Sequence, residues 1–121
     1  MSFMLTTQQM HAQEKDVTRR LGWSFLKAGD MVMACVKCQG LRKGGKIQRI
    51  HPIEIVSNEP EILMEIISNP YRNGCYRRET HREGFPDLTE DGFIRMFMRE
   101  MKCPMDQTVN RIEFKHRKGE G

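Results

Sequence analysis

The stretch Met31-Val32-Met33-Ala34-Cys35-Val36 is apolar throughout, and Lys37 ends it. Successive side chains of an extended chain point to opposite faces, so a strand here carries apolar groups on both. Such a strand is expected to be covered on both sides, as in a barrel or a sheet with helices packed on it. With 121 residues there is room for one core and not two. No apolar run approaches the roughly 18 residues of a membrane-spanning helix. Apolar residues make up 38% and fall in blocks, which argues against a wholly disordered chain.

The remaining segments alternate in type. Thr6-Thr7-Gln8-Gln9 fits a capping box and predicts a short helix to about Lys15. Val17 to Arg20 reads as extended, and Lys27-Ala28-Gly29-Asp30 as a tight turn. Lys46 to Ser57 is β-rich, with Pro52 marking a bulge or an edge. Pro60 suits the first turn of a second helix carrying Ile62, Leu63, Ile66 and Ile67. Thr89 with Glu90 and Asp91 opens a third helix whose stripe is Phe93, Ile94, Phe97 and Met101. Thr108 to Lys115 predicts a last strand, with Ile112 and Phe114 on one face and Arg111 and Glu113 on the other. Residues 117–121 read as a disordered tail. The order is mixed α and β, and a small barrel capped by helices satisfies it.

Twenty Lys and Arg against sixteen Asp and Glu give a formal charge of +4. Residues 1–60 carry 9 cations and 5 acids, and residues 61–121 carry 11 of each, so the excess lies in the first half. Within it Arg42, Lys43, Lys46 and Arg49 cluster, either as a solvated hairpin tip or as a phosphate-contacting edge. The N-terminus lacks the basic and apolar regions of a secretory signal, which predicts a cytoplasmic protein with free thiols. Cys35-Val36-Lys37-Cys38 has the spacing of half a zinc knuckle. Cys75, His81 and Cys103 are too scattered to complete it, so structural cysteines and no metal or cofactor are expected.

The segment most suggestive of chemistry is Lys15-Asp16-Val17-Thr18-Arg19-Arg20. If residues 15–18 are a last helical turn, Lys15 and Thr18 share a face; if the chain is extended from Thr18, Thr18 and Arg20 do. A switch at Thr18 aims an amine, a hydroxyl and a guanidinium into one space. A partly buried Lys can act as a base, Thr as a nucleophile, and Arg can hold an anion. By spacing alone the same residues are more often two surface charges and a strand threonine.

Lys15-x-x-Thr18-x-Arg20, then Gly22-Trp23 and Leu26-Lys27-Ala28-Gly29-Asp30, resembles the opening of an ASCH domain. Arg82-Glu83-Gly84-Phe85-Pro86-Asp87-Leu88 is similar to that family's Glu-Gly-Phe segment, with Phe93 and Phe97 in its following helix. Arg111-Ile112-Glu113-Phe114 resembles its closing strand. The resemblance implies a single domain over residues 1–116. Its fold class is α+β: a PUA-like small β-barrel of five or six strands flanked by about three helices. It also implies RNA or a modified nucleoside as partner, with no membrane. One branch resembles 4-acetylcytidine amidohydrolases, which implies Lys15, Thr18 and Glu83 as catalytic residues and Arg20 as ligand-binding. The same resemblance leaves open a non-catalytic RNA-binding module and a small ribonuclease. Lys15 lies between Glu14 and Asp16, unlike the amidohydrolase context.

Further candidates come from residue type. Trp23 either stacks on a base at the cleft mouth or closes one end of the barrel. Tyr71 and Arg72, with Tyr76, Arg77 and Arg78, form a stacking-plus-phosphate candidate or a polar loop. Arg42, Lys43 and Lys46 complete the expected ligand-binding set. His51 and His81 are more economically read as ordinary strand and surface histidines.

Overall fold

The computed structural model describes residues 1–36, 48–72 and 74–117. The tail at 118–121 and Arg42, Lys43, Lys46 and Cys38 lie outside the described residues. Four strands form one curled antiparallel sheet: β1 (Val17–Arg20), β2 (Met31–Cys35), β3 (Arg49–Ile62) and β4 (Thr108–His116), in the order β1-β4-β3-β2. Helices α1 (Thr7–His11), α2 (Glu79–Arg82) and α3 (Glu90–Met101) accompany it, with short 3₁₀ turns at Met4–Thr6 and Leu63–Ile66. This is an α+β half-barrel, with four strands among the described residues rather than five or six.

β3 sets the curl. Its first half pairs with β2 (Glu54 opposite Met31, Arg49 opposite Cys35) and its second with β4 (Ile53 opposite His116, Ile62 opposite Thr108). The register slips between Ile55 and Ser57. Pro52 pairs with Met33 and accepts the Arg117 N–H at 3.0 Å through its carbonyl, whereas Pro60 pairs with Asn110 alone and has no strand on its other side. A proline without an N–H is tolerated at such a free side, which is why Pro60 extends the strand instead of starting the expected helix. The apolar residues that follow form only a 3₁₀ turn, burying Leu63 and Ile66.

The expected single core is instead two hydrophobic clusters, because the alternation along β1 and β4 sends apolar side chains to both faces of the sheet. Ile112 and Phe114 face inward with Met10, Ile53, Ile55, Phe3 and Ala34. Val109, on the opposite face, packs against Phe93, Ile94 and Phe97 of α3 and against Leu63 and Ile66. Thr89 caps α3 by accepting the Gly92 N–H at 3.1 Å, and Lys102 in the left-handed region ends it. The expectation of a doubly covered β2 is not met: Met31 is 55% exposed and Met33 38% exposed. β2 is an edge strand, so only Ala34 and Cys35 are buried in it. Residues 1–3 run beside its end, with the Cys35 N–H donating to the Met1 carbonyl and the Phe3 N–H to the Cys35 carbonyl, both at 2.8 Å.

Helix α1 stops at His11, short of Lys15, and its N-cap Thr6 makes no side-chain capping bond. Gln13 takes a φ of 58°, which turns the chain out of the helix. Residues 15 and 16 therefore lie between α1 and β1 and are not the last helical turn. The Asp16 N–H donates to the Arg82 carbonyl and the Phe114 N–H to the Asp16 carbonyl, both at 2.9 Å. Two segments distant in sequence thus strap this short stretch in place.

Candidate functional site

β1 is the other edge of the sheet, and a cavity of about 350 Å³ runs along it. That lies at the lower end of the ~300–1,000 Å³ of small-molecule sites. Thr18 and Arg20 reach it from one face of β1, Arg19 from the other, and Lys15 and Glu83 from the flanking segments. Phe3, Phe85, Phe93, Phe97 and Met96 supply apolar wall. Met4, Leu5 and Met101, each at least 41% exposed, also line it and mark its solvent side.

Lys15 is only 3% exposed. Its Nζ donates to the Glu83 carbonyl oxygen and, at 3.0 Å, to Glu83 Oε1. The rings of Phe3 and Phe85 each lie 5.9 Å from it. Burial lowers the Lys15 pKa below the ordinary lysine value; Glu83 opposes this, and the charges of Arg20 and Arg19 add to it. The net effect is an amine that releases its proton more readily than a surface lysine.

Thr18 Oγ1 accepts from Arg20 Nε at 3.2 Å. A hydroxyl that accepts this bond keeps its own proton to give away. Arg20 also donates to the Ser2 carbonyl, and its guanidinium lies over the Phe3 ring at 4.7 Å. The N-terminal segment therefore fixes the arginine that fixes the threonine.

Glu83 caps the C-terminal end of α2, one turn of helix. Gly84 follows at a φ of 94°, where a Cβ would lie 3.2 Å from Thr6 Cγ2 and 3.3 Å from Gln9 Cβ. Gly84→Ala combines left-handed strain of ~1–2 kcal/mol with a tight contact, and should lower the melting temperature by several degrees. An unchanged melting temperature would show that the approach of α1 to Glu83 relaxes freely.

Behind the cavity lies a buried ion-pair network that the sequence reading did not single out. Arg19 donates to Glu83 Oε2 at 3.0 Å, Glu79 Oε1 at 2.8 Å and Glu61 Oε1 at 3.1 Å. Arg111 donates to Glu79 Oε1 at 2.6 Å and Oε2 at 3.1 Å. Arg82 holds Asp16 and Glu113. Burial disfavours a charged Glu79, yet the bonds from Arg111 and the charge of Arg19 outweigh it and hold its pKa low. Burial likewise opposes the charge on Arg19, and Glu83, Glu61 and Glu79 more than offset it. A signal was present in the sequence: Val17 shares a face with Arg19 and Val109 with Arg111, so that face is not a solvent face.

The structure brings together Lys15, Thr18, Arg20 and Glu83 and places Trp23, Tyr71 and Arg72 elsewhere; Arg42, Lys43 and Lys46 lie outside the described residues. Trp23 is half-buried, packs against the inner core and is not in the cavity wall. Tyr71 is 53% exposed, also outside the cavity. Arg72 is paired with Glu61 at 2.7 Å and Glu59 at 3.5 Å. The His116 Nε2–H donates to the Lys15 carbonyl at 2.6 Å, since a carbonyl only accepts. His116 Nδ1 then accepts a hydrogen bond from the His51 Nε2–H, also at 2.6 Å. His81 is exposed. Cys35 is buried, and Cys75 and Cys103 are half-buried free thiols. Among the described residues no three His, Cys, Asp or Glu are grouped to hold a metal, and no helix is long and apolar enough to cross a membrane.

No protein-family model matches the sequence, and no curated protein matches it. Two solved structures share its architecture. Protein EF3133 from Enterococcus faecalis V583, of the family DUF984, superposes with a TM-score of 0.57 at 14% identity, covering 94% of this chain and 71% of that one. The ASCH domain from Lactobacillus crispatus JV V101 gives a TM-score of 0.54 at 15% identity, over 93% of this chain and 70% of that one. The chain has the fold of an ASCH domain.

Proposed function

We propose that this ASCH fold binds a modified nucleoside and hydrolyses the acyl amide on its exocyclic nitrogen, with Lys15, Thr18 and Glu83 as the catalytic set. The observation that carries the reading is the buried Lys15–Glu83 pair sharing one cavity with Thr18. Two of the three donor positions on Nζ go to Glu83. The third is where a lone pair stands once the proton is lost.

In this scheme Nζ takes the Thr18 proton as Oγ1 bonds to the amide carbon. Arg20 stands beside Oγ1 to meet the developing oxyanion. The C–N bond then breaks, Lys15 returns the proton to the leaving nitrogen, and an acylated Thr18 remains. Water, deprotonated by the same amine, attacks the ester and releases the carboxylic acid, and the proton returns to Oγ1.

Among the described residues, the arginines of the 72–78 stretch give less support to an RNA-binding module. Arg72 is paired with acids, Arg77 donates to the Glu14 carbonyl and approaches Asp16 at 3.7 Å, and Arg78 pairs with Glu90. A phosphate chain would have to displace these bonds. Glu100 also lines the cavity, which suits an uncharged ligand better than an anionic one.

The test is mass spectrometry of 4-acetylcytidine incubated with the protein. Cytidine and acetate should appear, Thr18→Ala should reduce the rate at least ~100-fold, and Thr18→Ser should restore part of it. No product from the unaltered protein would overturn the reading.

A further inference from the structure

Arg19 has no part in the chemistry above, yet its side chain is wholly buried beside it. It also reaches two acids one helical turn apart. Glu79 and Glu83 are separated by four residues and lie on the same face of α2. One guanidinium nitrogen of Arg19 takes Glu79 at 2.8 Å and the other takes Glu83 at 3.0 Å. An isolated one-turn helix has almost no stability of its own. The position of Glu83 therefore depends on what grips the turn: the Asp16 N–H holds the Arg82 carbonyl, and the planar fork of Arg19 holds the Glu79 and Glu83 carboxylates.

We infer that Arg19 is a positioning residue: backed by Glu79 and Arg111, it holds Glu83 Oε2 so that, of the two carboxylate oxygens, Lys15 meets only Oε1. This rests on the reading of Lys15 as the base, and it adds a residue outside the Lys-Thr-Glu set. Glu83 is divided between two cations, each 3.0 Å from its own oxygen. A carboxylate shared in this way stabilises the ammonium of Lys15 less than one given wholly to it. The division keeps the lysine proton exchangeable while the carboxylate still fixes where Nζ points.

Charged and polar groups reach Lys15 from three elements. Glu83 comes from the end of α2, Arg19 and Arg20 come from β1, and the Lys15 carbonyl receives the His116 N–H at the end of β4. The Phe3 and Phe85 rings close the other sides. Arg19 binds the same carboxylate as Lys15 through its other oxygen. Arg19 itself is not free to swing away. Its cross-strand neighbour is Arg111, and the two like charges are held together by Glu79 between them.

The variant that isolates the role is Arg19→Lys. It keeps the charge and loses the fork, since one ammonium cannot span Glu79 and Glu83 as a rigid guanidinium does. Glu83 should then turn more fully to Lys15. The readout is the titration of Lys15, followed by NMR of the Cε resonance in labelled protein without substrate and identified by its loss in Lys15→Met. The midpoint should rise by about one pH unit, a tenfold fall in neutral lysine at a fixed lower pH.

A merely structural Arg19 would lower the melting temperature and leave that midpoint in place. An unmoved midpoint in folded Arg19→Lys protein overturns the inference. If that variant does not fold, Arg111→Lys weakens the support of Glu79 from behind and should move the midpoint the same way by a smaller amount. An unmoved midpoint there likewise overturns the inference. Because no substrate is present, this result is separate from turnover. Loss of 4-acetylcytidine hydrolysis would defeat the functional reading, and an unmoved midpoint the role of Arg19.

Discussion

Lys15→Met should reduce turnover of an acylated cytidine by at least ~10²–10⁴-fold while the protein remains folded. Methionine has nearly the length of lysine without its amine, and it enters a space walled by Phe3 and Phe85. Glu83 keeps Arg19 as a partner, so no buried carboxylate is left unpaired. Loss of rate with retained folding would separate chemistry from architecture, and undiminished turnover would sink the scheme.

The same lysine gives a pH signature. A base must be neutral to accept the Thr18 proton, so activity should rise with pH through the Lys15 midpoint. Burial, partly opposed by Glu83, places that midpoint below the ordinary lysine value. Stability follows the same sign. Between the lowered folded midpoint and the ordinary value, the unfolded chain binds more protons than the folded one, so stability rises with pH in that window. The rise should be absent from Lys15→Met in matched unfolding titrations.

Glu79→Gln should cost about 3–5 kcal/mol of stability, the usual penalty for breaking a buried ion pair by removing one partner. Arg19 and Arg111 lie directly opposite each other on β1 and β4. Glu79, fully buried, takes a bond from each, and Arg82 approaches it at 3.6 Å. Glutamine keeps the shape and removes the charge that holds the two arginines together.

Urea unfolding at neutral pH measures the loss, and a change below about 1 kcal/mol would mean that the remaining acids, Glu61 and Glu83, suffice for Arg19. Because Arg111 and Arg19 depress the Glu79 pKa against the effect of burial, its contribution is fully present above the ordinary carboxylate value. It disappears as the pH falls through the folded midpoint. The acid limb of the stability profile should therefore be flatter in Glu79→Gln.

Local chemistry was readable wherever one element decided it. The cap at Thr89 and the apolar stripe of α3 follow from spacing, and the structure has the cap and buries Phe93, Ile94 and Phe97, while Met101 of the expected stripe is 41% exposed. The alternation of Thr18 with Arg20 is likewise a property of any extended chain, and the two side chains meet. Readings failed where a neighbour decided. Pro60 looks like a helix start, but the missing N–H falls on a side of β3 that pairs with no strand at that point. Met31 and Met33 look like core residues, but β2 lies at the sheet edge.

The candidate site divides in the same way. From the sequence alone came a lysine, a threonine and an arginine at short spacing, and, through resemblance to ASCH domains, Glu83. Charge pattern, apolar period and turn residues are local, so the class of fold and the identity of these side chains could be read without coordinates. Only the tertiary structure brings Glu83 across 68 residues onto Lys15 and sets Arg19 and Glu79 behind it. The physical reason is burial. Whether a charge faces water or another charge depends on which segments pack over it, and that decides if Lys15 is a solvated cation or an amine poised to take a proton.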